Sequence, residues 1–219
     1  MLSPAQRHMM RVSAAEASQR ENDPLRQATG YEQMLFRLAA DKRTLKQVRS
    51  KERKAEIKRG LLVNYAPWIE GVLSSGRGAQ DAVLMTAMVW KLDAGDISGA
   101  LEIARYALKH ELVMPFGTRT TPYLLAEEVA ESATRAYTAG QPVNVDPLLT
   151  TLTLTDEQDM PDQVRAKLHK IIGQVVRDSG KPEQALYHLK RAFQLDSRCG
   201  VKKDIERLET ALRKAATGR

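Results

Sequence analysis

The sequence predicts an all-α protein: antiparallel helical hairpins with tetratricopeptide-like packing, preceded by a basic N-terminal helical segment. Three observations lead there. Ala, Leu, Arg, Lys, Gln and Glu dominate while aromatic residues make up 5%, a balance that favours helix over strand. Apolar residues recur at i, i+4, i+7 and i+11 in successive C-terminal stretches. Glycine- and proline-containing turns then follow one another closely enough to force antiparallel neighbours.

Taken in order, Ser3-Pro4-Ala5-Gln6 reads as a helix start, with Ser3 as N-cap, Pro4 at the first helical position and Gln6 closing a capping box. That helix is expected to reach about Arg20, where Glu21-Asn22-Asp23-Pro24 breaks it. Its apolar stripe, Met9 and Val12 with some alanines, is thin, so it needs a partner or a ligand. A second helix starts near Gly30. Tyr31, Met34, Leu38, Leu45 and Val48 follow a spacing close to 3.5 residues, the pattern of an oligomer seam. Lys42, Lys46, Arg49 and Arg53 then share one face of the same helix, which Gly60 and Pro67 end.

From Ala79 to Asp93 an apolar helix is expected, then a turn at Gly95-Asp96 and a second helix carrying Ile97, Ala100, Leu101, Ala104 and Leu108. Residues 114–122 read as a loop, and Thr121-Pro122 as the start of a helix ending at Gly140. Asp146-Pro147 starts a short helix, and residues 150–162 read as irregular. Val164, Leu168, Ile171 and Val175 define the next helix. Leu186, Leu189 and Phe193 face back from its partner, and Val201, Ile205, Leu208 and Leu212 repeat the period once more. Ile172-Gly173, Gly180, Ala185, Leu189 and Ala192 fit the tetratricopeptide spacing, with small residues where two helices must approach. Gly95, Ala100, Ala104 and Ala107 echo it upstream, with Met88 in place of the glycine. The expected organisation is a basic segment over 1–62, a central hairpin domain over 63–155 and C-terminal helices over 156–219.

The net charge of +7 is unevenly placed. Residues 1–60 hold 14 Lys and Arg against 7 acids, while residues 61–219 hold 20 of each. Such asymmetry points to a polyanionic partner for the N-terminal quarter. Lys42, Lys46, Arg49 and Arg53 are the leading contacts, flanked by Arg43, Lys54, Lys58 and Arg59, with Arg7, His8 and Arg11 on the first helix as possible base readers.

The catalytic classes find little support. GVLSSGRG, residues 71–78, has Arg77-Gly78 where a phosphate-binding loop needs Lys and Ser or Thr, so it reads as a turn. The acids Asp156, Glu157, Asp159 and Asp162 lack the turn glycine and terminal glutamate of a calcium loop. His8, His110, His169 and His188 fall at no zinc spacing, and Cys199 has no partner for a disulfide. No catalytic residue, metal or cofactor is therefore expected. No apolar run reaches membrane-spanning length and the N-terminus lacks a secretory core, so the cytoplasm is the expected compartment.

SPAQRHMMRVSAA (3–15), YEQMLFRLAADKRTLK (31–46), GDISGALEIARYALKHEL (95–112), MPDQVRAKLHKIIG (160–173) and GVKKDIERLETAL (200–212) together resemble the small terminase subunit of P-two-like temperate tailed phages, also called the terminase endonuclease subunit. The resemblance implies a viral DNA-packaging protein of the host cytoplasm. Its partners would be double-stranded phage DNA, the large terminase subunit carrying motor and nuclease, and copies of itself in a homo-oligomer. With no catalytic constellation legible, cutting is expected of the holoenzyme. Many small terminases carry an N-terminal helix-turn-helix, but no sharp turn with a recognition helix is legible in residues 1–60. Two alternatives from other classes are a helical scaffold or adaptor of capsid assembly, and a metal-dependent endonuclease using the acids at 156–162.

Overall fold

A computed structural model describes residues 2–19 and 29–217. The described residues form ten α-helices and no strand, as the composition required. They group into two compact units, Met1–Thr121 and Pro122–Arg219. The boundary falls inside the segment expected to be the central domain, because the basic N-terminal helices share a core with those that follow. The break expected at residues 21–24 lies outside the described residues.

In the first unit, α1 (Pro4–Gln19) begins with the expected reciprocal cap. The Gln6 N–H donates to Ser3 Oγ at 3.2 Å and the Ser3 N–H to Gln6 Oε1 at 2.8 Å. Its thin apolar stripe suffices because its neighbours approach at backbone distance. A Cβ on Gly71 would lie 2.4 Å from the Arg11 carbonyl oxygen and 2.9 Å from Ala14 Cβ, and a Cβ on Gly30 would lie 2.6 Å from Ser13 Cβ. Glycine on two neighbouring helices thus lets α1 bury Ala14 completely.

The long basic helix expected from Gly30 onward is two helices. α2 (Thr29–Gln47) stops, residues 48–50 break, and α3 (Lys51–Ser75) restarts. Ser50 supplies the reason. It sits in extended backbone, and its Oγ accepts from the Arg53 N–H at 3.2 Å, which makes it an N-cap. α3 then runs straight through Gly60 and Pro67, both expected to end it. Pro67 forfeits one backbone bond, to the carbonyl of Val63, whose residue is 68% exposed and open to water. The ring of Pro67 itself is buried.

The stripe expected as an oligomer seam belongs to this core instead. Met34, Leu38 and Leu45 are buried within the chain, and Tyr31 stacks on Trp68 of α3 with ring centroids 5.7 Å apart. Val48 sits half-buried in the break. The apolar spacing was read correctly, but its partners are α3 and α4 (Ala82–Asp93) of the same protomer. Tyr65 and Trp90 meet edge to face, and the Tyr65 hydroxyl donates to Asp41 Oδ2 at 2.6 Å. α5 (Ile97–Lys109) returns along α4 after the turn at Gly95, whose φ of +83° suits glycine.

The second unit holds α6 (Thr121–Thr138), α7 (Val145–Thr155), α8 (Asp162–Asp178), α9 (Pro182–Leu195) and α10 (Lys202–Ala216). Residues 150–155, expected to be irregular, are helical. Their threonine hydroxyls turn inward along the helix: Thr151 Oγ1 donates to the Pro147 carbonyl and Thr155 Oγ1 to that of Thr151, each at 2.8 Å. That self-satisfaction lets both threonines be buried. α8 and α9 form a tight hairpin, in which a Cβ on Gly173 would lie 2.8 Å from Leu189. Across the same hairpin His169 and His188 are buried with their Nδ1 atoms 3.0 Å apart, so one ring donates to the other.

Two predictions follow from this packing. Gly71→Val should lower unfolding stability by about 1–3 kcal/mol in urea titration, since the backbone of Arg11 must move. The histidine pair should make the second unit acid-sensitive. Burial, reinforced by His188 and by Arg191 and Arg165, pushes His169 down to about 4, and burial lowers His188 as well. The unfolded chain then binds more protons below its ordinary pKa of about 6.5. Stability is complete above that value and is lost as pH falls toward 4, by up to about 3 kcal/mol. Urea midpoints between pH 7 and 4.5 should drop in the wild type and less in a His169→Gln/His188→Gln variant.

Candidate nucleic-acid interface

The ten cations expected to meet a polyanion divide into two groups. One group has partners within the protein, although Arg11, Arg53 and Arg59 remain exposed. Lys42 Nζ donates to Thr86 Oγ1 at 3.3 Å and lies 5.2 Å above the Phe116 ring, and burial lowers its pKa. Lys58 pairs with Asp93 and is 14% exposed, while Arg59 Nε donates to the Ala94 carbonyl at 3.0 Å. Arg11 pairs with Glu70 at 3.3 Å, and Arg53 with Glu56 one helical turn on. The chain break also removes the single helix face on which Lys42, Lys46, Arg49 and Arg53 were expected to align.

The second group is available. Arg43, Lys46 and Arg49 are exposed, Lys54 is half-exposed, and among the described residues none of them is paired with an acid. Lys51, which sequence reasoning passed over, is exposed beside them. All five lie within twelve residues around the α2–α3 break. Arg7 is exposed on α1, likewise without an acid. The result is a basic corner. It is formed by the last turn of α2, the three-residue break and the first turn of α3, whose amide dipoles add further positive potential. A short turn between two helices is therefore present in residues 1–60 after all. Its signal in the sequence was Ser50 followed by an acid, Glu52, in the first turn, hidden inside a run that reads as continuous helix.

A second feature escaped sequence reasoning. Residues 61–219 are neutral only in sum: residues 61–162 hold 6 cations and 14 acids, and residues 163–219 hold 14 cations and 6 acids. Finer windows would have found it. On α10, exposed Lys203, Arg207, Thr210 and Lys214 recur at i, i+4, i+7 and i+11. Glu206 lies in the same shallow groove, and Asp204 is 3.9 Å from Arg207, so this face is mixed in sign.

The other motifs resolve simply. Gly71 is inside α3, Gly76 caps it, and Gly78 has φ +92° with its N–H donating to the Tyr106 hydroxyl at 2.8 Å. GVLSSGRG is thus a helix end. Asp156 lies 3.7 Å from Arg165, and Asp162 occupies the first turn of α8. Among the described residues no group of three or more His, Cys, Asp or Glu could hold a metal ion. No described helix is long and apolar enough to cross a membrane.

The comparisons with known proteins agree with one another. The family model of the phage small terminase subunit matches residues 35–163. The terminase endonuclease subunit of Escherichia phage P2 is 62% identical over 214 residues, covering 97% of this chain and 87% of that protein. The probable terminase endonuclease subunit of Haemophilus phage HP1 is 28% identical over 160 residues, covering 67% of this chain and 57% of that protein. No solved structure matches.

The division of the cations is directly testable. Lys42→Ala and Lys58→Ala should each lower stability by about 0.5–1.5 kcal/mol in chemical denaturation. Lys46→Ala and Arg49→Ala should change it by less than about 0.5 kcal/mol.

Proposed function

This chain belongs to the phage small terminase subunit family, whose business is DNA packaging, and on that premise we propose that it binds the packaging site of concatemeric phage DNA through the basic corner at the α2–α3 break. Lys46, Arg49, Lys51 and Lys54 meet phosphates of the duplex. The chain acts as a homo-oligomer and directs the large terminase subunit, which supplies motor and nuclease, to cut and package the DNA in the host cytoplasm.

The observation that carries this reading is the cluster of exposed cations without acid partners around residues 43–54, within the segment that holds a charge surplus of 7. Clustered like charges repel one another, and a phosphate backbone relieves that cost while releasing its counterions. Phosphate contacts fix position and carry no sequence information, so site selection needs base contacts or duplex shape. The exposed first turn of α3 is the element at hand to supply them.

Both relatives are described as terminase endonuclease subunits. For this chain we assign cleavage to the complex with the large subunit. Purified chain with Mg or Mn should leave cognate duplex intact, and adding the large subunit should start cleavage. Cutting by the chain alone, lost on Asp159→Ala, would move the chemistry to the acids at 156–162.

Binding has a quantitative signature. Lys46→Glu/Arg49→Glu/Lys54→Glu should weaken duplex binding at least a hundredfold with an unchanged circular dichroism spectrum and melting curve. Each single neutral substitution should lower the slope of log affinity against log salt by about 0.9, while Lys42→Ala and Lys58→Ala should leave it unaltered. A triple variant with the wild-type slope would place the DNA elsewhere.

A further inference from the structure

After α5 the chain shows four consecutive apolar side chains at its surface. Val113 is 63% exposed, Met114 half-buried, Pro115 exposed and Phe116 40% exposed. A run of that kind facing water is unfavourable unless a partner covers it. The segment is also firmly held. Glu111 takes φ +55° just past α5, where glycine is usual. The Leu112 N–H donates back to the Ala107 carbonyl at 2.8 Å, and the Leu112 side chain is buried. Gln80 grips Val113 at both backbone groups: its Oε1 accepts from the Val113 N–H at 2.9 Å, and its Nε2 donates to the Val113 carbonyl at 2.8 Å. The buried Thr121 hydroxyl donates to the Leu112 carbonyl at 2.7 Å. Gly117, at φ +74°, then turns the chain just past the aromatic ring. Anchors on one side and a turn on the other present Phe116 at the tip.

What stands beside the tip decides its partner. Lys42 Nζ lies 5.2 Å from the Phe116 ring centroid. Lys46 follows one turn later on the same face of α2, exposed and without an acid partner among the described residues. The apolar tip therefore adjoins the basic corner. A DNA duplex answers both features: its phosphates suit the cations, and its base steps admit an apolar side chain.

We propose that residues 113–117 form a wedge, with Phe116 at its edge, that enters the minor groove beside the phosphates held by Lys46. The wedge opens one base step and bends the duplex. This inference rests on the DNA reading of the α2–α3 corner and gives that reading what phosphate contacts lack. Phosphates are alike at every step, but the cost of opening a step depends on its sequence. It is lowest at TA and CA/TG, so a wedge held at a fixed distance from the corner senses where such a step falls. The anchoring by Gln80 and Thr121 matters here, because a tip that yielded could not transmit a bend.

Two probes on the full chain test the wedge. Energy transfer across an end-labelled packaging-site duplex reports bending, and 2-aminopurine placed step by step along it reports unstacking. Wild type should bend the duplex by about 20–90° and brighten the reporter at one step. Phe116→Ser should abolish both signals and weaken binding at least about tenfold, with the slope of log affinity against log salt unchanged, since no phosphate contact is lost. Phe116→Leu should bend and unstack the duplex as wild type does. Leucine can wedge but offers no π face to Lys42, so its rescue excludes a role confined to seating that lysine. A Phe116→Ser variant that bends and unstacks the duplex like wild type would overturn the proposal. So would a Phe116→Leu variant no better than Phe116→Ser. A Phe116→Ser variant that keeps DNA bending but loses the large terminase subunit would make the tip a protein contact instead. Each of these results leaves the basic corner standing. A Lys46→Glu/Arg49→Glu/Lys54→Glu variant with the wild-type salt slope would overturn the corner and the wedge together.

Discussion

The buried carboxylate of Asp81 is the point on which the first unit turns. It is 4% exposed, and its oxygens accept from the Val83 and Leu84 N–H groups at the start of α4 and from Trp68 Nε1 of α3 at 2.8 Å. Burial raises its pKa, and the three donors oppose that rise without cancelling it. One side chain thereby starts α4 and fixes its distance from α3. Tyr31 completes the joint by stacking on Trp68, and its hydroxyl accepts from the Ala82 N–H at 3.1 Å. Three helices are tied at one place.

The rest of the N-terminal architecture inherits its position from that joint. With α2 and α3 packed against α4, the exposed cations gather around the α2–α3 break. The pairing of Tyr65 with Asp41 and the seating of Lys42 on Thr86 and Phe116 hold the middle of α2 in place. The last turn and the break stay open to an outside partner. The charge asymmetry of the sequence thus becomes a shape: Lys42, Lys58 and Arg59 reach along α4 and brace the fold, while Arg43, Lys46, Arg49 and Lys51 are exposed around the break.

Much of this was legible beforehand because it is local. The Ser3–Gln6 cap, the Gly95 turn and the periodic stripes of α8 to α10 are written in spacings of three to eleven residues, and the helices appear where those spacings put them. What was misread depends on contacts between distant residues. The stripe from Tyr31 to Val48 looks the same whether it meets another protomer or Trp68 of its own chain. Lys42 and Lys46 look alike until Thr86 and Phe116 claim the first. The Ser50 cap was overlooked because its flanks are strong helix formers, and the threonines of α7 because their hydroxyls satisfy themselves only once the helix exists. In the candidate site, the cations singled out from the sequence include exposed ones such as Lys46 and Arg49 together with Lys42 and Lys58, which the fold engages.

Among the described residues, exposed cations gather at the α2–α3 corner and on the mixed face of α10, and we propose the first for DNA. Hydrogen–deuterium exchange of the full chain, with and without packaging-site duplex, separates them most directly. DNA should slow exchange at residues 43–54 and leave residues 202–216 as in the free protein. Protection confined to residues 202–216, with the α2–α3 break unchanged, would contradict it.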